Sequence, residues 1–314
     1  MQISDRIGRR MKLHDLHVLM AVVQAGSMNK AAALLNTTQP AVSKSIAELE
    51  RTVGVRLLDR TGRGVEPTNY GRALLDGGTA VFDDLRQAVK NIEFLADPTA
   101  GEVRIGCNPF LAASFVPVVV DQLARRHPRI VFDLLTSPTE ALRHQLNERN
   151  VDLLITHTSS LAADERLCFE SLFDEPYVVA SGVQSAWVRR RKIALAELAD
   201  EPWTLPPPGS VIGSVAREAF RASGLDYPRA TVVTDNAQAR ISLVAAGRFI
   251  TIFQSPVLRF PTRHPEIKVL PVEPAMVDMQ IGIITLKNRT ISPVAQLFIK
   301  HAREVAKPLA KRKG

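Results

Sequence analysis

The chain contains 314 residues, which fits about two domains of roughly 150 residues each. Its composition, with 46% hydrophobic and 23% charged residues, is typical of a soluble globular protein, and two cysteines are too few for a disulfide scaffold. No apolar run reaches the about 18 residues of a membrane-spanning helix, so no membrane partner is expected. The net charge of +8 indicates an anionic partner without specifying one.

The positive charge is concentrated at the two ends of the chain. Residues 1–72 hold 11 lysines and arginines against 6 acidic residues, a net +5, and residues 300–314 also carry +5. Residues 73–96 carry −2, and residues 97–299 are neutral. A basic C-terminal tail is typical of a solvated helix end, so its role stays open, as does that of residues 1–10.

The N-terminus loosely imitates a secretory signal. Basic residues precede an apolar stretch from Val18 to Val23, but this stretch is short and follows the polar residues His14, Asp15 and His17. It then continues with helical periodicity rather than toward a cleavage site. We therefore expect a cytoplasmic protein.

Three helices are predicted in the first 54 residues. Apolar residues recur at helical spacing from Leu13 to Val23. Ser27 is typical of the N-cap of a short second helix, and Thr38 of the N-cap of a third, with Pro40 in its first turn. Two helices joined by a tight turn indicate a helix-turn-helix, although the hydrophobic spacing alone would also fit a plain helical hairpin.

The polar face of the third helix favours the DNA-binding alternative. Gln39, Ser43 and Lys44 lie near its N-terminus, away from its apolar residues. Glutamine can pair with adenine, lysine can reach guanine or phosphate, and Pro40 can contact a thymine methyl group. Recognition helices present their N-terminal residues to the major groove, so the N-cap Thr38 is expected at the same surface.

A short hairpin is predicted after the third helix. A strand at 57–60 leads into a glycine-containing turn and a return strand that ends near Thr68. Arg60 and Arg63 would place two cations near the DNA backbone or the minor groove. The hairpin is therefore predicted to be the wing of a winged helix.

Residues 25–75 resemble the winged helix-turn-helix of LysR-type transcriptional regulators. The similarity is long and ordered, and it includes the Gln-Pro-Ala-Val-Ser run that opens the third helix. Leu58 stands where the family usually has phenylalanine, and many members have arginine at the position of Lys44. The family's DNA-reading positions correspond in this chain to Gln39, Pro40, Ser43 and Lys44.

A coiled-coil pattern occupies residues 73–96. Apolar residues at alternating spacings of four and three form its seam, namely Leu74, Gly78, Val81, Leu85, Ala88, Ile92 and Leu95. The break at 97–101 favours pairing with a second copy over packing on the helix's own domain. The resemblance implies a homodimer through residues 70–96 and a homotetramer, and two-fold symmetry then predicts a roughly palindromic DNA site.

Alternating strands and helices are predicted beyond the linker, including one helix from Phe110 to Arg126 and a second unit after Ser171. This pattern is typical of an α/β fold with ligand loops at the carboxyl ends of parallel strands. The resemblance implies a two-lobed, periplasmic-binding-protein-like effector domain at 97–314. Its lobes are expected at about 101–175 with 273–314, and at about 176–272.

The cleft between the two lobes is the predicted effector site. Polar residues at helix N-termini leave backbone N–H groups for a carboxylate or phosphate, although ordinary helix capping would use the same residues. A small anionic metabolite is the default effector. The candidate effector-binding residues are Asn108, Pro109, Phe110, Ser137, Thr139, His157, Ser210 and Asn236.

Enzyme motifs are missing from the sequence. It contains no G-x-S-x-G, P-loop, G-x-G-x-x-G or H-E-x-x-H pattern, so neither catalysis nor a cofactor is expected. His14 and His17 lack a third ligand, so no metal site is expected. Cys107 lies beside the predicted cleft as a candidate redox sensor, but without a nearby resolving cysteine a small buried residue is the simpler interpretation.

These patterns together predict a sequence-specific, DNA-binding transcription regulator. A small effector between the two lobes would change how the DNA-binding units sit on double-stranded promoter DNA, with RNA polymerase as a further candidate partner. The alternative is a soluble protein that sequesters a metabolite, which would lack salt-dependent, sequence-preferring DNA binding. The effector, the target genes and the sign of regulation stay open.

Overall fold

The computed structural model describes residues 10–61, 64–158, 161, 164–255, 264–273 and 278–310. The chain divides into two compact units, Met1–Ala88 and Val89–Gly314. Within the described ranges, no helix combines the length and the apolar character needed to cross a bilayer.

Helices and a hairpin of the N-terminal unit pack around one apolar core. Its elements are α1 (Leu13–Ala25), α2 (Met28–Leu34), α3 (Gln39–Val53), β1 (Leu58–Thr61) and β2 (Gly64–Pro67). The strands β1 and β2 pair in antiparallel fashion. Helices α1 and α3 end at Gly26 and Gly54, whose φ angles of 65° and 80° are left-handed. The helix-turn-helix and wing expected from the sequence are therefore both present.

The helix α4 (Asn69–Ala96) follows the wing without a loop. The Thr68 hydroxyl accepts a hydrogen bond from the Gly71 amide at 3.0 Å and satisfies one of the donors that a helix N-terminus leaves open. A Cβ atom on Gly71 would lie 2.1 Å from the carbonyl oxygen of Leu57. A side chain at position 71 would collide with the backbone of Leu57, so only glycine fits in the first turn of α4.

Among the described residues of the second unit, nine strands form one sheet, with the path β4-β3-β5-β13-β6-β10-β8-β9 and β11 paired to β6. These strands are β3 (Ala100–Cys107), β4 (Arg129–Thr136), β5 (Leu153–His157), β6 (Leu167–Gly182), β8 (Trp203–Leu205), β9 (Ala230–Val233), β10 (Ile250–Gln254), β11 (Ile267–Val269) and β13 (Asp278–Leu286). A separate parallel pair joins β7 (Ile193–Ala194) to β12 (Val272–Glu273).

The strand β6 joins the two lobes. Its 16 residues pair with β13 on one side and with β10 and β11 further along. We call the part around β3, β4, β5 and β13 lobe I, and the part around β8 to β11 lobe II. The single strand β6 was not predicted from the sequence, and the run Asp174-Glu175-Pro176 in its middle is typical of a strand break.

Helices cover both lobes. Lobe I carries α5 (Pro109–Ala112), α6 (Phe115–Arg126), α7 (Thr139–Asn147) and α10 (Pro293–Ala310), and lobe II carries α8 (Val211–Ala222) and α9 (Ala237–Ala245). The single helix predicted from Phe110 to Arg126 is wrong, since Ser114 interrupts it with φ −133° and ψ −87°. The buried Ser114 hydroxyl donates to the Phe110 carbonyl at 2.6 Å, so this side chain competes with the helical backbone.

Each lobe has its own apolar core. In lobe I, Phe115 and Phe298 are fully buried between the sheet and the helices α6 and α10. In lobe II, Trp203 packs edge-on against Phe220 at 5.5 Å, and its indole N–H donates to the Leu198 carbonyl at 2.7 Å. The two cores are packed separately, and the strand β6 connects the lobes that contain them.

Candidate nucleic-acid interface and effector cleft

The N-terminal end of α3 presents polar side chains to solvent. Thr38, Gln39 and Pro40 are exposed at its start, and Lys44 is exposed one turn later. Ser43 is half-buried. Within the described part of the chain, the four hydrogen-bonding side chains of this group have no hydrogen-bonding partner. This face of α3 therefore keeps its donors and acceptors available to an external ligand.

The helix α3 is held at a fixed angle to α1. The Ser45 hydroxyl donates to a carboxylate oxygen of Asp15 on α1 at 2.6 Å, and both residues are buried. In the turn between α2 and α3, Asn36 has φ 50°, a conformation that asparagine tolerates better than most residues. The polar face of α3 therefore lies opposite the side that is bonded to α1.

The wing is fastened to the end of α1. The Val65 amide donates to the Gly26 carbonyl at 3.0 Å. A Cβ atom on Gly64, whose φ is 140°, would lie 2.5 Å from that same oxygen, so the close approach requires glycine. The backbone of Arg60 lies in β1, while its side chain, like all of Arg63, falls outside the described structure.

The predicted seam of α4 divides into two parts. Leu74 packs against the core of the N-terminal unit, and Gly78 faces Leu16 so closely that a Cβ atom would lie 3.0 Å from a methyl carbon of that leucine. At these two positions the helix packs on its own domain, which was the alternative to pairing with a second copy. The later seam positions are exposed, at 43% for Val81, 45% for Leu85, 66% for Ile92 and 81% for Leu95.

The predicted cleft residues of lobe I lie at one edge of its sheet. Asn108 follows β3, Ser137 follows β4 and His157 ends β5. Because these strands are parallel neighbours, their carboxyl ends meet at the same edge. The Ser137 amide donates to the Cys107 carbonyl at 3.3 Å, which joins two of these loops.

Three predicted effector-binding residues act as helix N-caps. The Asn108 side-chain oxygen accepts from the amides of Phe110 and Leu111 at 3.1 and 2.9 Å. The Ser210 hydroxyl accepts from Gly213, and the Asn236 oxygen from Ala239, both at 3.0 Å. Capping thus engages one acceptor of each residue. The side-chain nitrogen of Asn108 is nevertheless buried with no hydrogen-bonding partner in the described regions.

Thr139 and Pro109 stand at the starts of two helices in lobe I. Thr139 is the first residue of α7, and its hydroxyl lies 2.9 Å from that of Thr156, with both residues buried. Pro109 is the first residue of α5, where its missing N–H costs nothing. These two positions therefore also have local structural roles.

A buried polar group spans the two lobes. The Gln254 side-chain nitrogen lies 2.6 Å from Nε2 of His157 and donates to the Tyr177 hydroxyl at 3.0 Å. Burial lowers the pKa of His157 to about 4, so the imidazole is neutral at pH 7. Its Nδ1 atom and the Gln254 side-chain oxygen have no hydrogen-bonding partner in the described regions.

Arg240, a fully buried residue on α9, was not among the site residues predicted from the sequence. Its Nε and Nη2 atoms donate to the Thr251 hydroxyl at 3.2 and 2.9 Å, and Nη2 also contacts the Ile252 carbonyl. Burial lowers the pKa of Arg240 to about 10, which leaves the guanidinium charged at neutral pH. A signal was present, because Arg240 shares one helical face with the apolar Ala237 and Val244.

Phe110 of lobe I packs into lobe II. It joins a cluster that contains Ile241 and Phe253, and it is 4% exposed. The guanidinium carbon of Arg240 lies 5.5 Å from the centre of the Phe110 ring and 5.2 Å from that of Phe253. The structure therefore brings a predicted effector-binding residue into contact with a buried cation of the opposite lobe.

A second cluster of charged side chains, centred on the buried Asp152, joins lobe I to the end of α4. Asp152 accepts from Arg104 Nη2 at 2.7 Å and from Arg289 Nη2 at 2.9 Å, and Lys90 Nζ lies 3.9 Å away. Burial alone would raise the pKa of Asp152, but the hydrogen bonds and charge of Arg104, together with the charge of Lys90, hold it below its ordinary value.

Cys107 is fully buried at the end of β3. Burial raises the pKa of its thiol to about 11, so the reactive thiolate is scarce at neutral pH. The structure therefore favours a small core residue over a redox sensor. In the regions that the structure describes, no group of three or more metal-ligating side chains comes together.

Comparison with known proteins identifies both parts of the chain. Residues 13–72 match the model of the bacterial regulatory helix-turn-helix protein, lysR family, and residues 96–307 match the LysR substrate binding domain. The HTH-type transcriptional regulator GbpR of Azospirillum brasilense is 27% identical over 304 residues, which cover 94% of this chain and 86% of that protein. PcaQ of Agrobacterium fabrum is 26% identical, with 96% of each protein covered.

Solved structures share the fold over nearly the whole chain. A full-length OxyR variant from Pseudomonas aeruginosa has a TM-score of 0.68 at 20% identity and covers 97% of this chain and 99% of its own. Full-length CbnR in complex with its target DNA has a TM-score of 0.63 at 22% identity and covers 94% and 100%. Since the two family models together span almost the entire length, the chain belongs to the LysR family of transcriptional regulators, which bind DNA through the helix-turn-helix and an effector through the substrate-binding domain.

Proposed function

We propose that this regulator reads its operator through the exposed N-terminal turn of α3. The observation that carries the proposal is the row of exposed polar side chains on that turn, which have no hydrogen-bonding partner among the described residues. Gln39 pairs with an adenine edge, Lys44 contacts guanine or phosphate, and Pro40 packs on a thymine methyl group. Thr38 and Ser43 contact the flanking phosphates.

The wing supplies the second contact to DNA. Arg60 and Arg63 flank the hairpin turn in the sequence, and arginines on such a turn contact the backbone or enter the minor groove. They add affinity and fix the register, while α3 reads the bases. The net +5 of residues 1–72 supports this arrangement.

Two copies pair through α4. The exposed apolar positions from Val81 to Leu95 form a stripe that favours burial against a second helix. Two-fold symmetry then places two α3 helices on half-sites about 34–36 Å apart, or a multiple of that distance. The LysR family membership further supports a tetramer, contact with RNA polymerase at the promoter, and a cytoplasmic protein without catalytic activity.

The effector occupies the cleft between lobes I and II and shifts the population between DNA-bound arrangements. Asn108 and His157 line it from lobe I, each with a buried polar atom that lacks a hydrogen-bonding partner among the described residues. Ser137 and Thr139 at the same sheet edge, and Ser210 and Asn236 from lobe II, complete the candidate lining. An anionic effector fits the helix N-termini that surround this region.

A gel-shift titration on DNA upstream of the protein's own gene tests the DNA contacts. Wild-type protein is expected to form a complex that weakens strongly between about 50 and 200 mM salt. Gln39→Ala should lose about 1–3 kcal/mol of binding free energy and relax the preference at one base pair. Gln122→Ala replaces an exposed glutamine on α6 and should bind as wild type does. Unchanged affinity and base preference for Gln39→Ala would refute the assignment of α3.

A further inference from the structure

Arg240 has an environment unlike that of an ordinary buried arginine. Among the described buried residues of lobe II it is the one charged side chain, and in the described regions no carboxylate lies within salt-bridge distance of it. A buried charge is normally paired, because removal from water disfavours the charged form. Groups other than a carboxylate must therefore offset the free-energy cost of burying the charge of Arg240.

The hydrogen bonds of Arg240 leave one edge of the guanidinium unused. Nε and Nη2 are directed to the Thr251 hydroxyl and the Ile252 carbonyl, which hold the group against β10. The Thr251 hydroxyl in turn donates to the Thr204 carbonyl on β8 at 2.6 Å. The remaining nitrogen, Nη1, is buried with no hydrogen-bonding partner in the described regions. One side of the guanidinium is thus held by hydrogen bonds, while Nη1 on the other side has no hydrogen-bonding partner in the described regions.

Two aromatic rings take the place of a counter-ion. The faces of Phe110 and Phe253 lie near the guanidinium, and the negative face of an aromatic ring attracts a cation. Such a contact is weaker than a desolvated, hydrogen-bonded pair with a carboxylate. Phe110 comes from lobe I, so an anion that replaces it at Arg240 also changes the contact between the lobes.

We propose that Arg240 binds the carboxylate group of a small effector with an apolar body, and that Phe110 covers this site until the effector displaces it. The inference rests on the proposed effector cleft and specifies its ligand class. One open guanidinium nitrogen suits one carboxylate oxygen, whereas a phosphate dianion brings three acceptor oxygens and needs more donors.

The residues around Arg240 determine which chemical groups can accompany the carboxylate in the ligand. Ile241 and Phe253 are buried beside it, and Ile212 is partly buried against the same cluster. His157 is neutral at pH 7 and contributes hydrogen bonding rather than charge. The site therefore offers a single positive charge among apolar side chains, which favours a monocarboxylate over a sugar phosphate or a neutral polyol.

Thermal unfolding of the full-length protein tests the proposal. Both tryptophans, Trp187 and Trp203, belong to lobe II, so their fluorescence reports on the effector domain. The probes are acetate, butyrate and benzoate, each beside its neutral amide, and inorganic phosphate, all at matched ionic strength. At least one carboxylate is expected to raise the midpoint of wild-type unfolding, while its amide and phosphate do not.

Three variants separate binding from folding. Arg240→Met should weaken carboxylate binding by about tenfold or more, because it removes a charge-assisted hydrogen bond. Arg240→Lys keeps the charge and should retain part of the protection. The matched control is Arg248→Met, which removes an exposed arginine 5.8 Å from the Phe249 ring and should respond as wild type does.

Four outcomes would overturn the carboxylate site. They are protection of wild type by no carboxylate, protection by phosphate alone, equal protection by a carboxylate and its amide, and equal protection of Arg240→Met and wild type. Gel shifts with the same proteins keep this result separate from the proposed function. Wild-type DNA binding without carboxylate protection refutes only the role of Arg240, whereas carboxylate protection without DNA binding refutes only the operator assignment.

Discussion

Two polar clusters of the effector domain differ in the groups that pair with their buried arginines. In the Asp152 cluster (Lys90, Arg104, Asp152 and Arg289), two guanidinium groups meet one carboxylate within 2.9 Å. In the cleft cluster (His157, Tyr177, Arg240, Thr251 and Gln254), a guanidinium meets a hydroxyl, a carbonyl and two aromatic rings. In the first cluster both guanidinium groups have a carboxylate partner, although the Lys90 ammonium forms no hydrogen bond among the described residues. In the second cluster the guanidinium has no carboxylate partner there, and polar atoms of Arg240, His157 and Gln254 form no hydrogen bond among the described residues.

This difference is the one expected between a structural site and a binding site. Buried polar groups in proteins are nearly always hydrogen-bonded, so a group of unsatisfied atoms at one place calls for an explanation. The Asp152 cluster joins residues from α4, β3 and the segment before α10, and its carboxylate pairs with both guanidinium groups. The cleft cluster gathers its unpaired atoms where the two lobes meet, as a site for a small molecule would.

The largest effect is expected from removal of the shared carboxylate. Asp152→Asn keeps the shape of the side chain but leaves Arg104 and Arg289 without a buried counter-charge, which should cost about 3–5 kcal/mol in the free energy of unfolding. Unfolding of the full-length protein, followed by tryptophan fluorescence, measures the loss.

Asp164→Asn is the matched control for this substitution. Asp164 also pairs with arginines, at 2.8 Å from Arg166, but the Arg166 side chain is 64% exposed to solvent. Water therefore screens that pair, and the variant should lose much less stability than Asp152→Asn. Equal losses in the two variants would mean that the Asp152 cluster is no more tightly coupled than a surface pair.

Local signals allowed prediction of the DNA-binding unit from the sequence. Gly26 and Gly54 end helices that the periodicity had already indicated, and Thr38 begins α3 as expected. These signals act over a few residues, which is the range in which backbone conformation is decided. The division of the α4 seam was not predictable in this way, because Gly78 faces Leu16, a residue 62 positions earlier in the chain.

The sheet edge at which the candidate residues of lobe I meet was predictable from the sequence, but their contacts with lobe II were not. Parallel strands place the loops after β3, β4 and β5 at one edge, so Asn108, Ser137 and His157 could be assigned to it from the sequence. The contact between His157 and Gln254 joins residues 97 positions apart. Likewise, Phe110 reaches Arg240 only because the lobes meet, a tertiary contact that no local pattern encodes.

The second effect concerns the pH dependence of the cleft cluster. Burial depresses the pKa of folded His157 to about 4 from an unfolded value of 6.5, so protonation favours the unfolded state as the pH falls through that window. The stability that the neutral ring contributes is fully present above pH 6.5, and about 2 kcal/mol of it should be lost at pH 5. Asp152 instead contributes stability that is lost in stronger acid, because its folded pKa lies below the ordinary carboxyl value.

His157→Gln isolates this contribution. Glutamine keeps a hydrogen-bonding partner for Gln254 and does not titrate, so the fall in the free energy of unfolding between pH 7.5 and 5 should be smaller than in wild type. Urea titrations at the two pH values provide the comparison, and His264→Gln, at a half-buried histidine 3.2 Å from Glu266, is the control. An equally steep fall in His157→Gln and wild type would show that the acid sensitivity has another source.

Substitution of one arginine in each cluster, in protein without ligand, gives the sharpest contrast between the clusters. It also includes the smallest expected change in the free energy of unfolding. Arg289→Met removes the donors to Asp152 and to the Val151 carbonyl, and should be clearly destabilising. Arg240→Met leaves no carboxylate behind, and relief from a desolvated charge offsets the lost hydrogen bonds, so its stability should stay within about 1 kcal/mol of wild type. A loss in Arg240→Met as large as that in Arg289→Met would make Arg240 a structural residue. A near-neutral result would mean that the protein retains a buried charge it does not need for folding, which is the behaviour expected of a residue kept for its ligand.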